Sequence, residues 1–276
     1  MHHYFSSGPD ITGPWNTSGE AVGFGAAGAW DAWSVFTPGA YFDADAAGGE
    51  GLWYLWYGAV ADGSRPTRES IGLATASSAF GPWTRSAHNP VFDGNDTAWC
   101  GPGQSARVDE AIGYRIEGRK VVVVKGVCKN FTALPSVWIS DTSHANQTSF
   151  NPPYHMLTGA APMASAVDTA KHKGFEHQQL FHGPDGLLHM TGHDHGDQLV
   201  SHYVSKGGVA ANDWRRLADM KAFGLPLGEP TAAFAGEPGD QDGIPQHFIQ
   251  FASDPLSGKL VVHLMSVSWA NASSLA

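Results

Sequence analysis

Charged side chains and long apolar runs are both scarce in this chain. Only 15% of its 276 residues are Asp, Glu, Lys or Arg, and the net charge is −10. The 16 Lys and Arg residues form no basic run, so we expect no nucleic-acid partner, because phosphate-backbone binding needs a positive patch. The longest strand-like apolar run, KVVVVKGV, is far too short to cross a bilayer, so we expect no membrane partner.

Turn-forming residues are abundant instead. The chain contains 34 Gly and 17 Pro, which divide it into short segments, and its low charge content disfavours long surface helices. With 42% apolar residues it can still build a sizeable core. The composition therefore favours an all-β protein, which we expect to act as a monomer.

Asparagine and cysteine point to the secretory route. Five of the eight Asn residues begin N-x-S/T sequons, where about one would be expected by chance. These are Asn16, Asn95, Asn130, Asn146 and Asn271. The opening MHHYFSSG lacks the apolar core of a signal peptide, so an extracellular protein would carry its signal upstream. Cys100 and Cys128 flank one predicted hairpin and either close a disulfide or remain two buried thiols.

A repeat of sixty to eighty residues runs through the chain. The ITGPW near the start returns as AFGPW, and the two Trp residues are 68 positions apart. Segments around Ser6, Ser77, Asp141 and Ser205 align with spacings of 71, 64 and 64. A second set, Asp31, Asp109, Glu176 and His247, has spacings of 78, 67 and 71. Two independent alignments therefore give nearly the same period.

Each repeat reads as four strands. An opening strand and a second strand, as in ARVDEAIGYRIEG and RKVVVVKGVC, are separated by turn residues and form a hairpin, and two further strands follow. This is the pattern of a β-propeller blade, whose first strand lines the central axis. We predict a single domain with blade units at approximately 1–25, 26–92, 93–158, 159–230 and 231–276. The first and last units are incomplete, so the ring has five blades or closes as four.

The inner ends of the opening strands select a few of the 26 carboxylates. Asp31, either Asp109 or Glu110, and Glu176 lie there and would converge at the axis. Asp31 and Glu110 are candidate substrate contacts, and Asp31 is a candidate base only if the ring has four blades. Such convergence suits glycoside hydrolysis, in which one acid stays protonated for the leaving oxygen and another stays ionised to activate water. A single acid at a strand start more often bonds to loop amides or a structural ion. For a set at a repeated position, the catalytic interpretation is favoured.

Other residues near these inner ends are candidates for substrate contact. An exposed indole can stack on a sugar face, which suits Trp33 and Trp99. Arg107 either pairs with Asp109 or binds an anionic sugar. His189, His193 and His195 are interpreted as hydrogen-bond partners of substrate hydroxyls, with metal binding as the less favoured alternative. The remaining inner position is that of His247.

Three segments resemble a known group of enzymes. LWYLWYGA and ESIGLATASSAFGPWTRSAHNPVF resemble the second blade of five-bladed glycosidases of glycoside hydrolase family 43 and its relatives, family 117 among them. ARVDEAIGYRIEGRKVVVVKG is similar to their third blade and GFEHQQLFHGPDGLLHMTG to their fourth. The resemblance favours the five-bladed ring. It implies a glycosidase that hydrolyses O-glycosyl bonds of a polysaccharide or oligosaccharide with inversion and needs no cofactor.

The resemblance also implies roles for individual residues. Asp109 takes the role of the acid that tunes its neighbour's pKa and orients the substrate, and Glu176 that of the general acid. His177 follows directly, and in family 117 the acid at this place is a histidine, so either of the two can donate the proton. Related enzymes carry a central ion or water cluster near a histidine, so a Ca²⁺ ion close to His247 is conceivable.

One element of the family pattern is missing from the sequence. The family's general base is an Asp on the opening strand of the first blade, and we find no such strand. The alternative function is therefore a catalytically inactive, carbohydrate-binding propeller.

Overall fold

The computed structural model describes residues 1–7, 14–63, 68–101, 103, 105–130, 132–140, 149–157, 175–194, 199–209, 213–217, 233–234, 247–253 and 260–266. The strands in chain order are β1 (His2–Ser6), β2 (Trp15–Glu20), β3 (Ser34–Asp43), β4 (Leu52–Val60), β5 (Glu69–Ala76), β6 (Thr84–Arg85), β7 (Ser105–Ile116), β8 (Arg119–Cys128), β9 (Ala133–Ser140), β10 (Tyr154–Met156), β11 (Phe175–His182), β12 (Leu188–Asp194), β13 (Leu199–Ser205), β14 (Arg215–Arg216), β15 (Ala233–Phe234), β16 (His247–Ser253) and β17 (Leu260–Ser266). Two 3-10 turns cover Ala47–Gly49 and Gly94–Cys100.

These strands form five antiparallel sheets. The first sheet contains β1 and β2, the second β3–β6, the third β7–β10, the fourth β11–β14 and the fifth β15–β17. The prediction of an all-β chain built from hairpins is confirmed. Among the described strands, the first and fifth sheets share no paired strand. The number of blades in the ring and the unit boundaries stay predictions. Within the described ranges, no helix is long and apolar enough to cross a bilayer.

Strand β8 shows how the sheets pack face to face. Successive side chains of a strand point to opposite faces, so a strand between two sheets is apolar on both. Val122 and Val124 pack in a cluster with the second sheet, and Val121 and Val123 pack in a cluster with the fourth. All four are at most 1% exposed. The run VVVV is therefore a core strand, and its even and odd positions face different neighbours.

The opening strands β3 and β7 approach each other closely at one point. An added Cβ at Gly39 would lie 2.0 Å from the carbonyl oxygen of Ala111. No side chain fits there, so the contact requires glycine.

The two cysteines form a disulfide with Cα atoms 5.5 Å apart. It joins the 3-10 turn Gly94–Cys100 to the last residue of β8, and so holds the segment that leads into β7. Of the two alternatives left open by the sequence, the structure has the disulfide. Asn16, Asn95 and Asn130 are exposed; Asn146 and Asn271 lie outside the described residues.

A buried ion pair links the second and third sheets. Lys120 Nζ on β8 lies 2.5 Å from Asp43 Oδ2 on β3, with side chains 5% and 2% exposed. An exposed pair, Arg115 with Asp45, lies at 2.6 Å between the same sheets.

We expect Lys120→Met to lower the free energy of unfolding by about 3–5 kcal/mol, because it leaves the Asp43 carboxylate buried without its cation. Arg115→Ala is the matched control and should cost at most about 1 kcal/mol, since both partners are solvated. Urea denaturation of the two variants gives the comparison. Equal effects would contradict the assignment of the buried pair as a structural link.

A hydrogen-bonded network in the fourth sheet joins the buried His189 to the partly buried His202 and to the exposed Asp185. Asp185 Oδ1 lies 2.9 Å from His189 Nε2, and His189 Nδ1 lies 2.7 Å from His202 Nε2. His189 is therefore held in this network, and not in the position for substrate contact expected from the sequence. Burial, together with the neighbouring His189, lowers the pKa of His202 to about 4.

The lowered pKa of His202 predicts that the free energy of unfolding falls in acid. An unfolded histidine titrates near pH 6.5, so between pH 6.5 and 4 the folded chain binds fewer protons at His202 than the unfolded chain. The stability from neutral His202 is present above pH 6.5 and is lost as the pH falls toward 4, by up to about 3 kcal/mol. In urea titrations at pH 7.5 and 5, His202→Asn should lose less stability on acidification than the wild type. The exposed His88→Asn is the control; equal losses in both variants would refute the prediction.

Candidate active site

Three neighbouring opening strands carry a β-bulge. The register of β3 shifts between Phe36 and Gly39, that of β7 between Val108 and Glu110, and that of β11 between Glu176 and Gln179. Thr37 and His177 take positive φ values of 41° and 54° within these bulges, a conformation that non-glycine residues rarely adopt. The bulges re-aim side chains that regular alternation would direct to opposite faces.

The bulge in β7 lets two consecutive acids reach the same cation. Glu110 lies directly opposite Lys125 of β8, and Asp109 is the extra residue beside it. Lys125 Nζ is 3.0 Å from Asp109 Oδ1, 3.0 Å from Glu110 Oε1 and 2.5 Å from Glu176 Oε2 of the fourth sheet. The structure thus brings together three of the predicted acids around a lysine.

His177 lies at the edge of this cluster. Its backbone N–H donates to Glu110 Oε2 at 2.7 Å. Its ring Nδ1 is 3.3 Å from Glu110 Oε1 and its Nε2 is 3.7 Å from Glu176 Oε1. With 22% of its side chain exposed, His177 is more accessible than either of these carboxylates. An imidazole between two carboxylates is a suitable proton donor.

A cavity of ≈ 350 Å³ opens beside these groups. Its lining comes from all three bulged strands: residues 37–39 of β3, 110–112 of β7 and 177–179 of β11. This volume is in the range of small-molecule sites. Glu110 and His177 therefore border both the charged cluster and the space in which a ligand can sit.

Two further contacts hold Asp109. Thr37 Oγ1 donates a hydrogen bond to its carbonyl oxygen. Arg107 Nε lies 3.7 Å from Asp109 Oδ2 and 2.8 Å from Glu69 Oε2 on β5. Arg107 thus pairs with Glu69 at close range and with Asp109 at longer range, which leaves its charge compensated.

Three side chains of the cluster are close enough to one another to hold a metal ion. One ligand atom from each of Glu110, Glu176 and His177 lies within 4.8 Å of the others. Lys125 already contacts two of the three, and its charge repels a metal ion at that place. The described residues of this cluster therefore do not fit a metal site. The Ca²⁺ ion considered near His247 stays a prediction, because only the backbone of His247 is described, in β16.

Asp31 does not join the cluster. It lies three residues before β3, is 4% exposed, and its Oδ2 is 3.5 Å from Arg85 Nη2 on β6. Its backbone carbonyl accepts a hydrogen bond from Gly25 N, which closes the loop between the two residues. The expected convergence of Asp31 with Asp109 and Glu176 is thus absent among the described residues. The residue of β3 that reaches the cavity and Asp109 is Thr37.

The other predicted contact residues are placed differently. Trp33 is 62% exposed, and its backbone N–H donates to the carbonyl oxygen of Val60. Val60 pairs with Glu69 at one end of the second sheet. His193 is 1% exposed and lies behind Glu176, with Nδ1 3.6 Å from Glu176 Oε1. Trp99 belongs to the 3-10 turn before β7, and its side chain is not described. His195 lies outside the described residues.

Lys125 was missed by the sequence analysis, although a signal for it exists. It follows four consecutive valines in a strand that is buried on both faces. Lysine is almost never fully buried unless it is paired, so its position alone indicates carboxylate partners. The bulges have no comparable signal, since neither Thr37 nor His177 is a residue type that favours positive φ strongly.

Comparison with known proteins adds evidence on the fold. No protein-family model and no curated protein sequence matches the chain. Among solved structures, a family 117 glycoside hydrolase from the marine bacterium Zobellia galactanivorans aligns over 95% of this chain and 73% of its own, with 12% identity and a TM-score of 0.59. An endo-arabinase from Bacteroides thetaiotaomicron aligns over 93% and 83%, with 12% identity and a TM-score of 0.59.

A family 43 arabinoxylan arabinofuranohydrolase from Bacillus subtilis aligns over 94% of this chain and 54% of its own, with 15% identity and a TM-score of 0.57. At these identities the similarity concerns the fold. The chain therefore has the β-propeller fold found in glycoside hydrolases of families 43 and 117, as the sequence motifs predicted.

Proposed function

We propose that the chain is a glycoside hydrolase that cleaves glycosidic bonds of a polysaccharide or oligosaccharide by an inverting acid/base mechanism. The observation that carries this proposal is the convergence of Asp109, Glu110, Glu176 and His177 beside one cavity, from two different sheets. The propeller fold shared with known glycosidases supports it as an analogy.

In the proposed reaction, a water oxygen attacks the anomeric carbon while the bond from that carbon to the leaving oxygen breaks. The leaving oxygen takes a proton from Glu176 or His177, and a general base removes a proton from the attacking water. Asp109 orients these groups. None of the described residues is assigned as the general base. The exposed indole of Trp33 is a candidate surface on which a sugar ring can stack.

We further propose that the protein is a secreted, monomeric glycoprotein that degrades polysaccharide. Three sequon asparagines are exposed and the two cysteines are paired, and both features suit an oxidising, extracellular setting. Mass spectrometry of protein secreted from a eukaryotic host, before and after removal of N-glycans, tests this point.

A carbohydrate-binding propeller without catalysis is the second candidate function. It is favoured by the first sheet, which has only β1 and β2 in the described part of the chain and supplies none of the contacts of the acidic cluster. Incubation with arabinan, xylan, agar, and galactose and fucose polymers separates the two. Released reducing ends with inverted anomeric configuration, followed by NMR, support hydrolysis; binding without turnover supports the second candidate.

The proton donor can be identified by substitution. We expect loss of the general acid to lower kcat/KM by about 10²–10⁴-fold on a natural glycoside. The same variant should lose much less on an aryl glycoside with an acidic phenol, because that leaving group needs little protonation. Glu176→Gln and His177→Asn are compared on both substrates, with the exposed Asp45→Asn as the control.

The residue whose substitution lowers kcat/KM strongly on the natural glycoside, but much less on the aryl glycoside, is the proton donor. Unchanged activity of both variants on both substrates would reject the proposed site, as would equal losses on the two substrates for each variant.

A further inference from the structure

Lys125 occupies a place where an apolar residue would be expected. It continues the buried valine run of β8, and 4% of its side chain is exposed. A buried ammonium group is costly unless each of its N–H groups has a partner. Lys125 is compensated by three carboxylates on two different sheets: it donates hydrogen bonds to Glu110 and Glu176, and Asp109 Oδ1 lies 3.0 Å from its Nζ.

The balance of effects on Lys125 favours its charged form. Burial opposes the charge, but attraction to Glu110, Asp109 and Glu176, together with a hydrogen bond to Glu176, outweighs burial and raises the pKa of Lys125 above its usual value. The charged form of Lys125 is thus favoured by its surroundings.

The carboxylates depend on Lys125 in turn. Three carboxylates within reach of one ammonium group repel each other, and without the cation some of them would take up protons. Arg107 does not replace Lys125, because its nearest carboxylate is that of Glu69. The charged and titratable groups that surround Lys125 from the packed strands are Glu69, Arg107, Asp109, Glu110, Glu176, His177 and His193.

We propose that Lys125 is a positioning residue that keeps Asp109, Glu110 and Glu176 ionised and clustered next to the cavity that Glu110 lines, and thereby leaves His177 as the group that donates the proton. This inference rests on the proposed function. Glu176 Oε2 is occupied by the ammonium at 2.5 Å, which stabilises its negative charge and disfavours its use as an acid. His177 lines the cavity, with Nδ1 3.3 Å from Glu110 Oε1 and Nε2 3.7 Å from Glu176 Oε1.

The experiment uses three variants of Lys125 and one matched control. Lys125→Met removes the charge and the donors, Lys125→Gln keeps donors without charge, and Lys125→Arg keeps the charge. Lys120→Met is the control, because it places the same substitution at a buried, ion-paired lysine of the same strand, paired with Asp43 away from the cavity. Each is assayed at a temperature at which circular dichroism shows it folded.

We expect the acid limb of the pH profile of kcat/KM to move toward neutral pH by about one to three pH units in Lys125→Met and Lys125→Gln. The reason is that the carboxylates take up protons at higher pH once the cation is gone. Lys125→Arg should restore the limb to within about half a unit of the wild type. Lys120→Met should leave it unchanged. A folded Lys125→Met with an unshifted limb would overturn the proposal.

A second readout needs no turnover. The loss of melting temperature in Lys125→Met should be greater at pH 8, where three carboxylates repel each other, than at pH 4, where they take up protons. The difference between the losses at the two pH values should be larger for Lys125→Met than for Lys120→Met, because Lys120→Met leaves only the Asp43 carboxylate without its cation. If the pH dependence of the loss in Lys125→Met is equal to or smaller than that in Lys120→Met, the proposed role of Lys125 is overturned. If the wild type hydrolyses no glycan, only the proposed function is overturned.

Discussion

The attraction between Lys125 and three carboxylates is the interaction on which the candidate site depends. Asp109 and Glu110 come from the third sheet and Glu176 from the fourth, so the ammonium joins two sheets that also pack through apolar side chains. The ammonium can be buried there because two of the carboxylates accept hydrogen bonds from it and the third lies within ion-pair distance. The site is therefore part of the packing between sheets as well as a place for chemistry.

The bulges decide which side chains take part. In a regular strand, Asp109 and Glu110 would point to opposite faces, and so would Glu176 and His177. The register shifts in β7 and β11 bring each pair to the same region, and the shift in β3 brings Thr37 to the backbone of Asp109. The positive φ of Thr37 and His177 is a local cost that the surrounding sheets must offset. Irregularity at the same level of three strands thus creates both the cavity and its charged border.

This dependence on irregularity explains what the sequence could and could not predict. The repeated hairpins and turns predicted an all-β propeller, because strand alternation and turn chemistry are local properties. They also selected Asp109, Glu110 and Glu176, which the structure brings together. Asp31 was aligned with them by counting along the chain, but counting takes no account of the segment that folds back onto Arg85 before β3 begins. The bulge at Thr37 has no marker in the sequence.

Lys120 and Lys125 show how far strand periodicity alone can reach. They are five residues apart on β8, an odd spacing that places them on opposite faces. Lys120 shares its face with Val122 and Val124 toward the second sheet, where it meets Asp43. Lys125 shares its face with Val121 and Val123 toward the fourth sheet, where it meets Glu176. Parity therefore identifies the neighbouring sheet that each lysine reaches, although Asp109 and Glu110 contact Lys125 from the third sheet itself. The number of carboxylates distinguishes the two lysines. One cation with one carboxylate is a neutral link between sheets; one cation with three leaves an excess of negative charge beside a cavity, which is the condition for acid/base chemistry.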